Sequence, residues 1–342
     1  MLLQLYVYQY IEPPVIPKVC FSLDGYANAN ALLDFRLDVH GIKRLGYLLG
    51  LPAVIITANN TRICRDEAMC VLLSRLTFPR RYHDMSRMFG RSRARLCDIF
   101  SYLVHDIFGR WKQTLFLNKK LLRARINQYC HVVATKGSPL ECVFGFIDGT
   151  KVQTNRISAT GDASNLQKQI YSGHKRYHCL NFQAVSAPDG ICVHFWGPVE
   201  GRRHDSAMLA MSGLLRSFSQ NPDIFASKFI YGDPAYGVTK FVLSGYRGNN
   251  LSPEQQNFNK CMSSVRQAVE WNFKIMKTLW PHVSYKNMSK IMQSPVAKIV
   301  CVAMLLTNCH CCHFRGNQIS MYFDLLPPTL EEYLDTVEIV DL

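Results

Sequence analysis

Acidic residues are in deficit. The 342-residue chain carries 25 Asp and Glu against 39 Lys and Arg, a formal charge of +14. That balance argues for an anionic partner, with nucleic acid ahead of a membrane surface. The deficit is uneven: six acids and no Lys or Arg follow Arg315, so the body is more basic than the total. No apolar run is expected to be long enough to cross a bilayer. The opening MLLQLYVYQY is apolar, yet it has no basic n-region and Glu12 follows, so a signal peptide is not expected. Internal repeats and low-complexity stretches are absent from the sequence. A disulfide framework is missing too. The 13 cysteines are scattered, often inside apolar segments, as expected of reduced, buried thiols in a nuclear or cytosolic protein.

Hydrophobic residues make up 48% of the chain, enough for a sizeable core, and the length suggests two domains. Residues 1–30 read as irregular, with Pro13, Pro14 and Pro17 blocking helix. Helical patterns follow over 31–76, interrupted near GLPAVIITANNT. Tyr82, Met85 and Phe89 then share a helical face, Gly90 is a turn and Ser92 a plausible N-cap. Beyond it Leu96, Ile99, Phe100, Leu103, Ile107 and Phe108 keep a 3.6-residue period. Two helices joined at a glycine predict a helix-turn-helix at about 79–108. Arg91, Arg93 and Arg95 open its second helix, where such motifs reach bases and phosphates. An ordinary helical hairpin with a wet basic face fits the same pattern. Residues 112–137 read as another helix and a linker.

From Glu141 the pattern turns to strands. Val143–Ile147, 177–186 and 191–197 read as strands, the last two joined by a PDG turn. A helix over HDSAMLAMSGLLRSF follows, then the short strand KFIYGD. A helix with Val265, Val269, Phe273 and Met276 on one face comes next, and a final apolar helix near 291–312. If the helix after the third strand is a crossover, the fourth strand lies beside the first. This is the order of a ribonuclease H-like core: α/β, a mixed five-stranded sheet with flanking helices, preceded by an all-α helix-turn-helix region. The expected domains are 1–135, 136–315 and an acidic C-terminal tail over 316–342.

That path gathers four acids. Asp148 ends the first strand, Asp233 ends the fourth, Asp205 opens a helix and Glu270 sits within one. Neighbouring strand ends are about 5 Å apart. Carboxylates converging at one rim repel one another unless cations neutralise them, and Mg²⁺ or Mn²⁺ suits such oxygen ligands. Each acid also has a bland reading. Asp148-Gly149 and Asp233-Pro234 are turn pairs, Asp205 favours a helix dipole, and Glu270 has Arg266 and Lys274 at ion-pair spacing. Their joint placement favours a site. His174, Lys175, Arg176, Arg202 and Arg203 lie near these acids in sequence order and would meet phosphates or offset the negative cluster. In NCHCCHF, Cys309, Cys312 and His313 share a helical face, but well-spaced ligand pairs are missing, so core cysteines are favoured over zinc.

GFIDGT, YSGHKRYHCLNFQAV, GPVEGRRHDSAML, YGDPAYG, LSPEQQNFNKCMSSVRQAVEWNF and NQISMYFDLLPPTLEEY occur in that order. With FPRRYHDMSRMFGRS upstream, the chain resembles the PIF/Harbinger superfamily of DDE transposases and their domesticated derivatives, the Harbinger-derived nuclease-like proteins. The resemblance implies a nuclease, in the nucleus or the cytoplasm, that cuts and joins DNA by two-metal, in-line attack of water or a DNA 3′-hydroxyl. It implies a triad of Asp148, Asp205 and Glu270, whereas the strand order makes Asp233 the closest partner of Asp148; all four are kept. Two departures from the family pattern are Lys274 after Phe273, and LTN at Leu306–Asn308. A Myb-like DNA-binding partner protein and a homo-oligomer are compatible with the family. The alternative is a domesticated DNA-binding or partner-docking protein that no longer cuts. An enzyme acting on small phosphate esters would leave the basic helix pair unexplained.

Overall fold

The computed structural model describes residues 15–156, 166–267, 270–291 and 293–334. Pro13, Pro14, Val269, the opening apolar stretch and the last acids of the C-terminus lie outside them. The chain starts with α1 (Asn28–Phe35), α2 (Val39–Leu48), β1 (Val54–Ile56), β2 (Arg62–Cys64), α3 (Arg65–Thr77), α4 (Tyr82–Phe89), α5 (Arg93–Phe116) and α6 (Lys119–Thr135). Next come β3 (Val143–Gln153), α7 (Leu166–Ile170), β4 (Tyr171–Ser172), β5 (Tyr177–Ser186) and β6 (Cys192–Glu200). Then α8 (Asp205–Ser212), α9 (Leu214–Ser219) and α10 (Pro222–Phe225) lead to β7 (Phe229–Gly232) and β8 (Val242–Ser244). The remaining helices are α11 (Pro253–Gln267), α12 (Trp271–Leu279), α13 (Val296–His313), α14 (Gln318–Phe323) and α15 (Leu330–Leu334).

The mixed sheet has the strand order β6-β5-β3-β7-β8, with two-residue β4 added to the start of β5. β3, β5 and β6 are antiparallel; β7 runs parallel to both β3 and β8. The crossover through α8–α10 does bring the fourth strand beside the first, in an arrangement compatible with a ribonuclease H-like fold. One expectation changes: β3 runs on to Gln153, so Asp148 sits inside the strand, opposite Ala184, not at its end. Thr150 and Val152 keep the alternating, half-buried pattern that a strand needs, and the Asp-Gly pair does not break it.

The N-terminal region is not all-α. Val54–Ile56 pairs with Arg62–Cys64 as a small hairpin, because a β-branched run meets an Asn-rich turn in which Asn60 is left-handed (φ 57). Between α4 and α5, Gly90 is left-handed at φ 60 and Ser92 caps α5 by accepting from Arg95 N. A side chain at Gly90 would also strike the Val19 carbonyl, 2.0 Å from its Cβ. Instead of ending near Phe108, α5 continues for 24 residues and packs on β6 and α13. One hydrophobic core therefore runs from Leu23 to Leu334, through the helical region and the sheet.

The C-terminal stretch is not simply a tail. Ile319, Phe323, Leu330 and Tyr333 are buried, and Glu331 forms an ion pair with Arg44. Apolar residues spaced among the acids drive this segment onto α2 and α13. By length and composition α13 is apolar enough to cross a membrane, contrary to the sequence expectation, but 78% of it is buried as the central core helix. Asn308 in α13 accepts from Cys192 N and donates to Cys192 O, both at 2.9 Å, and so ties the helix to β6.

Candidate active site

The four acids arrive on different elements. Asp148 stands in β3, Asp205 begins α8, Asp233 follows β7 and Glu270 lies between α11 and α12. In parallel register Ile147 faces Gly232, so Asp148 and Asp233 are the next residues of adjacent strands. The Asp233 carboxylate caps the turn that follows it, accepting from Ala235 N at 2.5 Å. Gly149 lets Asp205 close in: a Cβ there would stand 3.0 Å from Asp205 Oδ1 and 3.5 Å from Tyr236 Oη.

A single guanidinium links Asp148 to Glu270. Arg266 Nη2 donates to Asp148 Oδ1 at 3.3 Å, and Nη1 lies 3.8 Å from Glu270 Oε1. The pairing of Arg266 with Glu270 follows from helical spacing; its reach to Asp148, 118 residues away, has no signal in the sequence. Asp148 is held above the usual carboxylate pKa by burial. Arg266 and the Gly149 amide oppose that shift, while Glu270 and Asp205 add to it. Asp205 is raised by burial and then by Asp233, against Lys151, His204 and Arg266. Asp205 thus couples electrostatically to both other aspartates.

On one side of Asp205 lies a cleft of about 350 Å³, lined by Lys151, His174, Lys175, Tyr177, Asn181 and Lys277 among others. Lys151 Nζ donates to Asn181 Oδ1 at 3.1 Å, and Lys277 Nζ to Thr150 Oγ1 at 2.9 Å. Burial lowers the pKa of Lys277. Sequence reasoning missed Lys151 and Lys277, although both lie in quoted motifs or beside them. Of the basic residues it did name, Lys175 lines the cleft; Arg176 occupies the adjoining β4–β5 turn at φ 57. Arg202 and Arg203 are exposed before α8, with Arg203 paired to Glu200 at 2.5 Å. Arg93 and Arg95 are exposed at the start of α5. Arg91 is differently placed. It clamps Glu67 with two hydrogen bonds, at 2.6 and 2.8 Å, and also donates to Arg62 O, which turns it inward.

The donor set fits a hard divalent cation: carboxylates only, two of them desolvated and charge-stressed beside a buried phenol oxygen that has no hydrogen-bond partner. Among the described residues no three acids, histidines or cysteines yet stand close enough to share an ion, and Arg266 supplies the positive charge between Asp148 and Glu270. Cys309, Cys311 and Cys312 are buried thiols whose pKa values burial pushes up, and His313 pairs with Asp38 at 3.0 Å.

The stress on Asp205 has a measurable consequence. An acid whose folded pKa is raised binds its proton more tightly when folded, so it costs stability once pH passes the ordinary carboxylate value of about 4. Asp205→Asn is therefore expected to raise the melting temperature of metal-free protein at pH 7. The gain should shrink as pH falls towards 4, measured by thermal melts in EDTA across that range.

Residues 147–308 match the profile of a family described as DDE superfamily endonuclease. All four acids lie within the matched segment. This likeness supports a DDE-type nuclease or transposase acting on DNA, a family that generally uses divalent metals. Neither the curated proteins nor the solved structures contain a match.

Proposed function

We propose that the chain is a metal-dependent DNA endonuclease of the DDE transposase kind, of PIF/Harbinger type, with Asp148, Asp205, Asp233 and Glu270 as its catalytic acids. The observation that carries this reading is the Arg266 guanidinium shared by Asp148 and Glu270: two carboxylates from distant parts of the chain already converge on one positive charge. These residues would hold Mg²⁺ or Mn²⁺. When bound, the ions supply charge stabilisation at phosphorus and a lowered pKa for the attacking water or DNA 3′-hydroxyl, in a two-metal, in-line displacement. The chain's own groups do the positioning. Lys151, Lys175 and Lys277 place positive charge along the cleft beside Asp205, where a strand's phosphates would lie. Arg91, Arg93 and Arg95, with Arg176, Arg202 and Arg203, extend the phosphate-binding surface, Arg91 being the one of them that is also held by Glu67. The α4–α5 pair acts as the helix-turn-helix. In this reading the protein works in the nucleus, as a homo-oligomer and with a Myb-like DNA-binding partner protein.

A second reading, a domesticated protein that binds DNA or a partner without cutting, is favoured by the same contact, because Arg266 already neutralises the acids. A cleavage assay separates the two. Purified protein is offered DNA carrying the inverted ends of its own element, in Mg²⁺, Mn²⁺ or EDTA. Metal-dependent nicking or cutting supports the nuclease. Binding without cutting in either metal, in wild type and in Arg266→Met, supports the second reading.

A further inference from the structure

Tyr236 is the most unusual group at the rim. Its side chain is 3% exposed, and its hydroxyl has no hydrogen-bond partner among the described residues. Buried hydroxyls are almost always satisfied, so a lone one calls for a functional reason. The surroundings narrow the choice. The charges that act on the phenol are Asp205, Asp148 and Asp233, in that order, with Arg266 opposing them. The hydroxyl is shut off from solvent, so a DNA phosphate does not reach it; the polar groups around it are the carboxylates, with Asp205 Oδ1 and the hydroxyl flanking the same space at Gly149.

The backbone makes room for this ring at two glycines. At Gly232 a Cβ would stand 3.0 Å from Tyr236 Cδ2 and 2.7 Å from Ile147 Cγ2. At Gly149 a Cβ would enter the space bounded by Asp205 Oδ1 and Tyr236 Oη. Asp233 caps the turn that carries the tyrosine, and Gly237 releases the chain from it at φ 72. Within YGDPAYG, then, Gly232, Asp233 and Gly237 together seat one phenol against two strands, with its hydroxyl beside the acids.

We propose that Tyr236 is a positioning residue: its O–H donates to the carboxylate of Asp205 and fixes which oxygen that acid turns towards a divalent cation. This rests on the nuclease reading above. Carboxylates that hold metals are themselves held by hydrogen bonds, and loss of such an outer partner typically costs about 10- to 100-fold in metal affinity or activity. Asp205 lacks that partner in the arrangement described, where Arg266 carries the positive charge of the site, and Tyr236 is the donor placed to provide it. A phenol is protonated at neutral pH and so remains a donor.

The test is Mn²⁺ binding to full-length protein, measured by titration calorimetry, for wild type, Asp148→Ala, Tyr236→Phe, Asp205→Asn and the Tyr236→Phe/Asp205→Asn double variant. Melting in EDTA is the control for folding. Tyr236→Phe is expected to weaken Mn²⁺ about 10- to 100-fold while melting at or above the wild-type temperature, since it removes an unpartnered hydroxyl. In the Asp205→Asn background the same change should have no further effect on affinity. Wild-type affinity in Tyr236→Phe, or additive losses in the double variant, would overturn the proposal while leaving the nuclease reading intact. Absence of Mn²⁺ binding in wild type would instead remove the reading on which it rests.

Discussion

Asp148→Asn is expected to abolish DNA cutting while leaving DNA binding within a few-fold of wild type. The loss should be on the order of 10³-fold or more, beyond the range for an outer hydrogen-bond partner. The substitution keeps the side chain's shape but removes the charge that Arg266 and Glu270 are arranged around. It also keeps the strand, because Asp148 pairs through its backbone with Ala184 of β5. On the proposed function, DNA binding would draw on exposed groups such as Arg93 and Arg95 and on the lysine-lined cleft, none of which changes. Nicking of supercoiled DNA in Mn²⁺, beside a gel-shift assay in EDTA, measures both quantities. Cutting that survives in Asp148→Asn would place the chemistry elsewhere.

The second large effect concerns the fold. Asp189, in the β5–β6 turn, is fully buried. Its carboxylate accepts from Tyr129 Oη at 2.6 Å and from Ile191 N at 3.1 Å, and Arg125 Nε stands 3.5 Å away. Burial pushes its pKa up to about 6, more than the tyrosine and the arginine pull it down. Asp189→Ala would strand a buried phenol and a buried amide at once and remove the carboxylate beside Arg125, which keeps its bond to Leu326 O. Breaking a buried pair of this kind costs about 3–5 kcal/mol, which urea unfolding would show as a lower midpoint at unchanged slope. Asp189→Asn keeps the shape and some of the bonds. The linkage sign is specific. Because the folded pKa is raised from 3.8 to about 6, wild type loses stability relative to the Asn variant as pH rises through that interval. The Asn variant should compare better at pH 7 than at pH 4.

The sheet order was legible because each strand carried its own apolar pattern and the crossover rule left one place for the fourth strand. Gly90 and Ser92 were legible because turn and cap chemistry is local. What the sequence hid was long-range. Arg91 reads as a DNA contact from its place in the motif, and its hold on Glu67, 24 residues away, is not visible there. The C-terminal acids read as an acidic tail, yet Glu331 meets Arg44 across 287 residues, and Leu325, Leu330, Tyr333 and Leu334 are buried. The PDG turn was legible, but not the burial of its Asp189, which Tyr129 and Arg125 cover. At the candidate site Asp148, Asp205 and Asp233 stood out by their placement at element ends and Glu270 by its helix, although Asp148 proved to lie within its strand. Arg266 and Tyr236 did not, since an i, i+4 ion pair and an aromatic in a turn are ordinary in isolation. Gly149 and Gly232 were the available signals for Tyr236: small residues beside acids mark backbone that something must approach closely.

The central claim is that Asp148 and Glu270, now joined by Arg266, share a divalent cation when the protein is active. A crystal structure of the full chain grown with Mn²⁺, with anomalous scattering recorded to locate the metal, tests it directly. The predicted result is a manganese peak between the two carboxylates, with the Arg266 guanidinium moved off Asp148. An empty site at saturating Mn²⁺, with Arg266 still bridging both acids, would contradict it.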